Sequence, residues 1–209
     1  MKKIKTTLSI LFTILVISHA LSQDNDVILY LGDLTLSTQA EVDAFAYTDV
    51  TGTLTISGND INNLDSLSAL VQAGSVIITQ NENLADVNGL SNLSVIGGNT
   101  SYLVISDNPS LTNIDGLSSL TFLSGHTASV IITNNAALSN IDGLSSLSSL
   151  SYIGCTIYIS NNPALKNING FSALQKFQDF GGLAVITIQN NGELEDIDGL
   201  SNLGGPFGI

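Results

Sequence analysis

Arginine and tryptophan are absent from the 209-residue chain, and cysteine occurs only once, at Cys155. A single thiol cannot form an internal disulfide, so stability must come from packing and hydrogen bonding. Lysine is also scarce, because five basic residues stand against eighteen acidic ones, for a net charge of −13. Nucleic acids and anionic lipid surfaces are bound by clustered Lys and Arg, so we exclude both as partners.

The N-terminal segment has the features of an export signal. Three lysines within the first five residues precede an apolar run at 8–18, and the small residues Ala20 and Ser22 follow. The run is shorter than the about 20 residues that span a bilayer, which disfavours a membrane anchor. No cysteine follows the cleavage site, which disfavours a lipoprotein. We predict a signal peptide at residues 1–22 and a secreted, periplasmic or cell-surface protein without a membrane span.

Residues 23–209 are predicted to form one domain, which would retain two lysines and all eighteen acidic residues, a net charge of −16. One frame repeats through this domain, in which an Asn is followed at fixed spacing by Leu, Val or Ile, Gly-Leu or Gly-Phe, and Leu. Successive asparagines are 27, 27, 27 and 29 residues apart at Asn81, Asn108, Asn135, Asn162 and Asn191. Counting a shorter first copy, about six repeats of this period predict a solenoid.

Each repeat begins with a β-branched run such as Val76–Ile78, which predicts a strand with its first and third side chains inward. The leucines that follow recur every third residue, but interspersed Asn-Gly, Asp-Gly and Ser disfavour a helix. We therefore predict short strands joined by tight corners. Coils stacked about 4.8 Å apart would bury one continuous core, which makes the fold class all-β.

Two further features belong to this scaffold. Thr38 to Glu41 forms a capping box, which predicts a short helix with Val42, Phe45 and Ala46 on one face, closing the N-terminal end of the coil. The repeated asparagines are expected to bond to the backbone of the next turn rather than to a metal, forming an internal ladder of Asn59, Asn81, Asn108, Asn135, Asn162 and Asn191.

The segment 32–45, the run 52–58 and the repeated Asn-x-x-Leu-x-x-Ile-x-Gly-Leu-Ser-x-Leu frame together resemble the receptor L-domain, and in particular L-domain-like repeat proteins exported by Bacteroidetes-type bacteria. The resemblance covers residues 29–203. It implies a right-handed single-stranded β-helix with an N-terminal capping helix and a sheet face that engages a protein ligand. The chain lacks the end-stapling cysteines of receptor L-domains and the C-terminal surface-sorting module of many bacterial relatives.

The alternative fold is a leucine-rich-repeat horseshoe, because Val76, Ile78 and Asn81 match its Leu-x-Leu-x-x-Asn core. The backs of the turns lack a helix-forming run, which disfavours it. At the other end, only residues 204–209 follow the last repeat, so we expect an uncapped coil. A truncated reading frame or end-to-end stacking on another chain would each explain this end, and we favour truncation.

Few residues suggest catalysis. Cys155 and His126 fall one turn apart, but no third orienting group accompanies them, so we expect a buried thiol and a solvated loop histidine. The equivalent corners hold Asp or Asn; of these, Asp115 and Asp142 would lie on adjacent turns, as in a retaining glycosidase or a weak Ca²⁺ site. A convex corner offers neither a cleft nor a raised pKa, and Asp-Gly is a common turn pair, so we expect turns. No enzyme, cofactor or metal is predicted.

The middle residues of the strands are predicted to face solvent as one row, and four consecutive apolar members are more than solubility requires. This row is our expected ligand-binding face, with Tyr158 as an anchor: Thr55, Ile77, Val104, Ile131, Tyr158 and Thr187. The predicted function is a non-enzymatic binding or adhesion module for an extracellular or envelope protein or glycan. The alternative is a passive spacer or a self-assembling solenoid subunit.

Overall fold

A computed structural model describes residues 27–150, 154–177 and 184–203. The predicted signal peptide at residues 1–22 and the tail at residues 204–209 lie outside these ranges. The described chain is mostly β, with these strands: β1 (Leu29–Tyr30), β2 (Leu34–Leu36), β3 (Asp49–Ile56), β4 (Gln72–Thr79), β5 (Val95–Gly97), β6 (Thr100–Ser106), β7 (Phe122–Ser124), β8 (Thr127–Thr133), β9 (Ser149–Leu150), β10 (Gly154–Ser160), β11 (Lys176–Phe177) and β12 (Ala184–Gln189).

All the strand pairs found in the described ranges are parallel and belong to one curled sheet of order β11-β9-β7-β5-β4-β6-β8-β10-β12, with β3 joining β1, β2 and β4. The sheet divides at β4, whose first residues pair with β5 and whose last residues pair with β6. We call β4, β6, β8, β10 and β12 the front wall, and β5, β7, β9 and β11 the back wall. The architecture is solenoid-like and all-β in character.

The strands alternate as the sequence predicts. Val76 and Ile78 are fully buried, whereas Ile77 between them is only half-buried. The leucine-rich stretch after each strand differs from the prediction of short strands, because it ends in a 3-10 helix in every repeat: Asp65–Ala69, Asn88–Leu90, Asp115–Leu117, Asp142–Leu144, Asn169–Phe171 and Asp198–Leu200. The N–H groups of Leu90 and Leu93 donate to the carbonyls of Val87 and Leu90, both at 2.9 Å, and these successive three-residue turns account for the spacing of the leucines.

Glycine at these corners is required by the stacking of the coils. A Cβ added to Gly143 would lie 1.8 Å from the Ile114 carbonyl oxygen, and one added to Gly116 would lie 2.0 Å from that of Val87. Each corner therefore rests directly on the backbone of the corner below. The first copy has Ser66 at this position, where the stack begins.

The predicted asparagine ladder is present. The backbone and side-chain N–H groups of Asn108 both donate to Asn135 Oδ1 at 3.2 Å. Asn135 in turn donates from its backbone to Asn162 Oδ1 at 3.1 Å, and its Nδ2 also reaches the Ile105 carbonyl at 3.0 Å. Four of the five repeated asparagines are fully buried and Asn191 is half-buried, and no buried side-chain polar atom in the described ranges lacks a partner. We call this set the Asn ladder: Asn81, Asn108, Asn135, Asn162 and Asn191.

Asn59 was wrongly assigned to the Asn ladder. Its side chain is exposed, and Gly58 occupies the equivalent position, because the Gly58 N–H donates to Asn81 Oδ1 at 2.9 Å. The first repeat is one residue shorter here, so its asparagine falls one position beyond the ladder.

The predicted helix is present as α1 (Gln39–Asp43). Thr38 caps it by accepting the Glu41 N–H at 3.2 Å, and Glu41 accepts the Ser37 N–H at 2.6 Å. Val42 and Phe45 are buried, but Ala46 is exposed, because the helix has ended before it. Neither α1 nor any other helix of the described chain has the length and apolar character to cross a membrane.

The leucine-rich-repeat alternative requires helices along the back of the coil. The described backs carry the short strands of the back wall instead. This agrees with the absence of a helix-forming run there.

We predict that Gly143→Ala lowers the free energy of unfolding by about 3 kcal/mol, because backbone atoms rather than a flexible side chain occupy the space of the new methyl group. Gly192→Ala is the matched control, since its Cβ would lie 3.9 Å from the nearest neighbouring atom, the Pro163 carbonyl oxygen. Urea denaturation followed by circular dichroism measures both. Equal stability of the two variants would contradict the stacking of the corners.

We also predict that Asn135→Ala destabilises the protein by about 3 kcal/mol, because it leaves several buried hydrogen-bonding groups on two neighbouring coils without partners. Asn134→Gly is the control: Asn134 is exposed and has φ of 59°, which glycine adopts readily. The same denaturation experiment should show a change below about 1 kcal/mol for this control. A small effect at Asn135 would mean that the ladder is dispensable.

Candidate binding face

The six residues predicted from the sequence lie side by side across the front of the sheet. Thr55 pairs with Ile77, which pairs with Val104 on β6, and the same register continues through Ile131 to Tyr158. Thr187 on β12 ends the row opposite Tyr158. All six side chains are half-buried, because each is flanked by its neighbours in the row. We call this set the binding row: Thr55, Ile77, Val104, Ile131, Tyr158 and Thr187.

Two further rows flank the binding row on the same face. The first lies two residues earlier on each strand and includes Tyr102, Ser129, Thr156 and Val185. Tyr102 is 38% exposed and Val185 is 48% exposed. Sequence reasoning named only the central residue of each strand and missed these two, although the same alternation extended by two positions would have found them.

The other flanking row carries hydroxyl groups. It is formed in register by Thr79, Ser106, Thr133 and Ser160, which we call the hydroxyl row. The first three are half-buried, whereas Ser160 is fully buried. Thr79 Oγ1 and Ser106 Oγ lie 2.8 Å apart and share a hydrogen bond. Beside this row, Gln189 Nε2 donates to the Tyr158 hydroxyl at 2.8 Å, which holds the end of that ring in place.

Left-handed residues form a third line at the corner where the front-wall strands end. Their φ values lie between 55° and 59°, and we call them the amide row: Gln80, Asp107, Asn134, Asn161 and Asn190. Asn134 Nδ2 donates to Asp107 Oδ1 at 2.9 Å, and Asn161 Nδ2 donates to Asn134 Oδ1 at 3.1 Å. Unlike the Asn ladder, this row is exposed. Sequence reasoning did not identify it, although each member directly precedes a ladder Asn.

Charge is distributed unevenly between walls and corners. The strands of the front wall, as the structure describes them, contain no Asp, Glu, Lys or His. The 3-10 corners carry exposed carboxylates at Asp65, Asp115, Asp142 and Asp198. The front wall is therefore an uncharged surface on a strongly acidic protein.

The corner aspartates occupy turns, in which their backbone N–H groups are bonded. The Asp115 N–H donates to Asn113 Oδ1 at 3.1 Å, and the Asp142 N–H donates to Asn140 Oδ1 at 3.0 Å, as the Asx turns of such corners do. Among the described residues, no group of three or more His, Cys, Asp or Glu side chains is arranged to hold a metal ion. The corners thus carry no assembled site in the part of the chain that the structure covers.

Cys155 and His126 do not form a nucleophile pair. Cys155 lies in the core, and the residue is only 4% exposed. Burial raises the pKa of its thiol from 9.0 to about 12. His126 is exposed, and its Nδ1 lies 2.7 Å from Asn99 Oδ1 on the preceding coil. A protonated core thiol is a poor nucleophile.

A comparison with protein-family models agrees with a binding domain that has no assembled catalytic site in the described residues. The receptor L domain model matches residues 47–146, which include strands β3 to β8. Receptor L domains are a non-enzymatic family of ligand-binding domains. Neither the search of curated proteins nor the search of solved structures returned a match.

We predict that Cys155 resists alkylation in the folded protein, because a thiol with a pKa of about 12 stays protonated below that pH. Mass spectrometry after iodoacetamide treatment at about pH 8 should show no adduct in buffer and complete modification in denaturant. The same shift predicts that stability is retained below the ordinary thiol pKa and declines as pH rises above it. Rapid native alkylation would place the thiol at the surface.

Proposed function

Because this chain is a receptor L-domain-like protein, we propose that it is an exported, non-enzymatic binding module whose front wall engages a ligand outside the cytoplasm. The observation that carries the proposal is the in-register binding row, in which Ile77, Val104 and Ile131 form a continuous apolar line on the solvent face. An apolar line rimmed by polar rows is typical of an interaction surface.

Export is supported by the signal-like segment at residues 1–22, in which three lysines precede an apolar run. We place the mature protein in the secreted, periplasmic or cell-surface space. Residues 23–209 would then act as one domain.

We further propose that the coil is a right-handed single-stranded β-helix with α1 as its N-terminal cap. Parallel crossovers within one sheet are almost always right-handed, and all described pairings here are parallel. Val42 and Phe45 bury the apolar side of α1 against the first coil, as a terminal cap requires.

A second candidate is a spacer or self-assembling subunit. It is favoured by the coil at residues 184–203, where Ile197 is 56% exposed, although the equivalent Ile168 of the preceding coil is fully buried. Such an edge could accept another copy. Sedimentation velocity separates the two roles, because a self-assembling subunit forms concentration-dependent oligomers and a binding module does not.

The proposed function predicts that Ile131→Lys together with Tyr158→Lys abolishes ligand capture and leaves the fold intact. The two lysines would place charge at the centre of the apolar line, while the long stems still reach solvent. Binding to candidate surface proteins and glycans is measured by pull-down with the wild-type chain in parallel.

The matched control is Phe122→Lys on β7 of the back wall, where the ring is already 48% exposed. Capture should survive this change, and circular dichroism should be the same for all three proteins. Equal capture by the front-wall variant and the wild type would remove the binding row from the function.

A further inference from the structure

The inference concerns the chemistry of the ligand and rests on the proposed function of the front wall. Three parallel lines run across the strands of this wall: the apolar binding row, the hydroxyl row and the amide row. The coils that contain β4, β6, β8 and β10 each add one member to every line, at the strand spacing of about 4.8 Å. A surface that repeats in this way offers the same contacts again at every step along the coil axis.

We propose that the ligand is an uncharged polysaccharide that lies along these lines, parallel to the axis of the coil. A repeating polymer can use every coil, whereas a compact ligand would use only one or two. Sugar rings have apolar C–H faces and hydroxyl edges, and the apolar binding row between polar lines complements both.

The polar groups of the wall suit sugar hydroxyls. Hydroxyl and carboxamide groups each donate and accept hydrogen bonds, as a neutral sugar does. In the amide row, the exposed Asn134 and Asn161 each donate one side-chain hydrogen bond to the row member before them and accept one from the member after, which leaves one N–H and one oxygen lone pair on each carboxamide. Tyr102 and Tyr158 lie on the same face and present aromatic rings on which a sugar can stack.

Charge selects against other ligands. A domain of residues 23–209 carries two lysines and eighteen acidic residues, so nucleic acids and acidic polysaccharides are repelled. A basic protein would be attracted to the acidic corners rather than to the front wall, whose described strands have no charge. Among the three lines the only charged member is Asp107, whose Oδ1 accepts a hydrogen bond from Asn134, so the surface is otherwise uncharged, as an uncharged ligand requires.

Charge disfavours a second copy of the chain on this wall, because two strongly acidic copies would repel one another.

The test is affinity electrophoresis of the full chain through gels that contain single polysaccharides. The neutral probes are xyloglucan, β-1,3-glucan, galactomannan and dextran, and the acidic probes are alginate and polygalacturonate. We expect retardation by at least one neutral probe and by neither acidic one. Affinity for the neutral probe should change less than about twofold between about 0.01 M and about 1 M salt, because no charge pairs are formed.

The variant Ile131→Glu should weaken the neutral interaction about tenfold or more, and Phe122→Glu on the back wall should leave it unchanged. Asn134→Asp and Asn161→Asp together should weaken it as well, since carboxylates cannot donate to sugar oxygens. Both variants add exposed charge of the same sign, so the Phe122→Glu control accounts for altered mobility.

The outcomes separate this inference from the proposed function. Capture of a protein that Ile131→Glu abolishes, with no polysaccharide retarding the chain, overturns the polysaccharide and keeps the binding face. A dimer that Ile131→Glu dissociates in sedimentation velocity assigns the wall to a second copy and also overturns it. No wall-dependent partner of any kind overturns both proposals.

Discussion

The close vertical contact between successive coils is the constraint on which the rest of this structure depends. Parallel hydrogen bonds set the strand spacing, and the corners must then fit within the same distance. Gly143 permits this at its corner because its missing side chain leaves room for the Ile114 carbonyl. The Asn ladder uses the same distance, because one carboxamide spans from one coil to the next only when they are stacked in register. The packing of the core, the glycines at the corners and the alignment of the outer rows all follow from this spacing between successive coils.

The register between coils also explains how the chain tolerates irregularity. The last two ladder positions, Asn162 and Asn191, are 29 residues apart instead of 27, yet Asn162 still donates to Asn191 Oδ1 at 3.0 Å. The front wall therefore keeps its alignment when a repeat gains two residues elsewhere. A surface of aligned rows is easier to maintain in such a design than in a fold where insertions shift neighbouring strands.

Much of the fold could be predicted from the sequence, because a repeated frame averages out local ambiguity. The strands, the inward residues and the Asn ladder all follow from periodicity, and the capping box located α1. The errors arose where one repeat is shorter than the others, or where two kinds of backbone give the leucines the same three-residue spacing. Asn59 was misplaced because the deletion precedes it, and the 3-10 corners were taken for strands because leucine spacing alone does not distinguish the two. The six residues of the binding row lie on one solvent-facing line, as alternation predicts, and their part in binding stays a prediction. Tyr102 and the amide row depend on where each strand begins and ends, which periodicity does not specify.

The lack of contacts between distant coils has a mechanical consequence. Across the strands that the structure describes, each coil bonds only to the coil above and the coil below, so a force applied to the two ends of the solenoid would load one interface at a time. Under tension the molecule should peel coil by coil rather than rupture as a whole. Each step would release one repeat of 27 residues, or roughly 90 Å of contour length at about 3.4 Å per residue. A protein tethered outside a cell would in this way dissipate a pull in small equal increments and could recover each coil on the one beneath it.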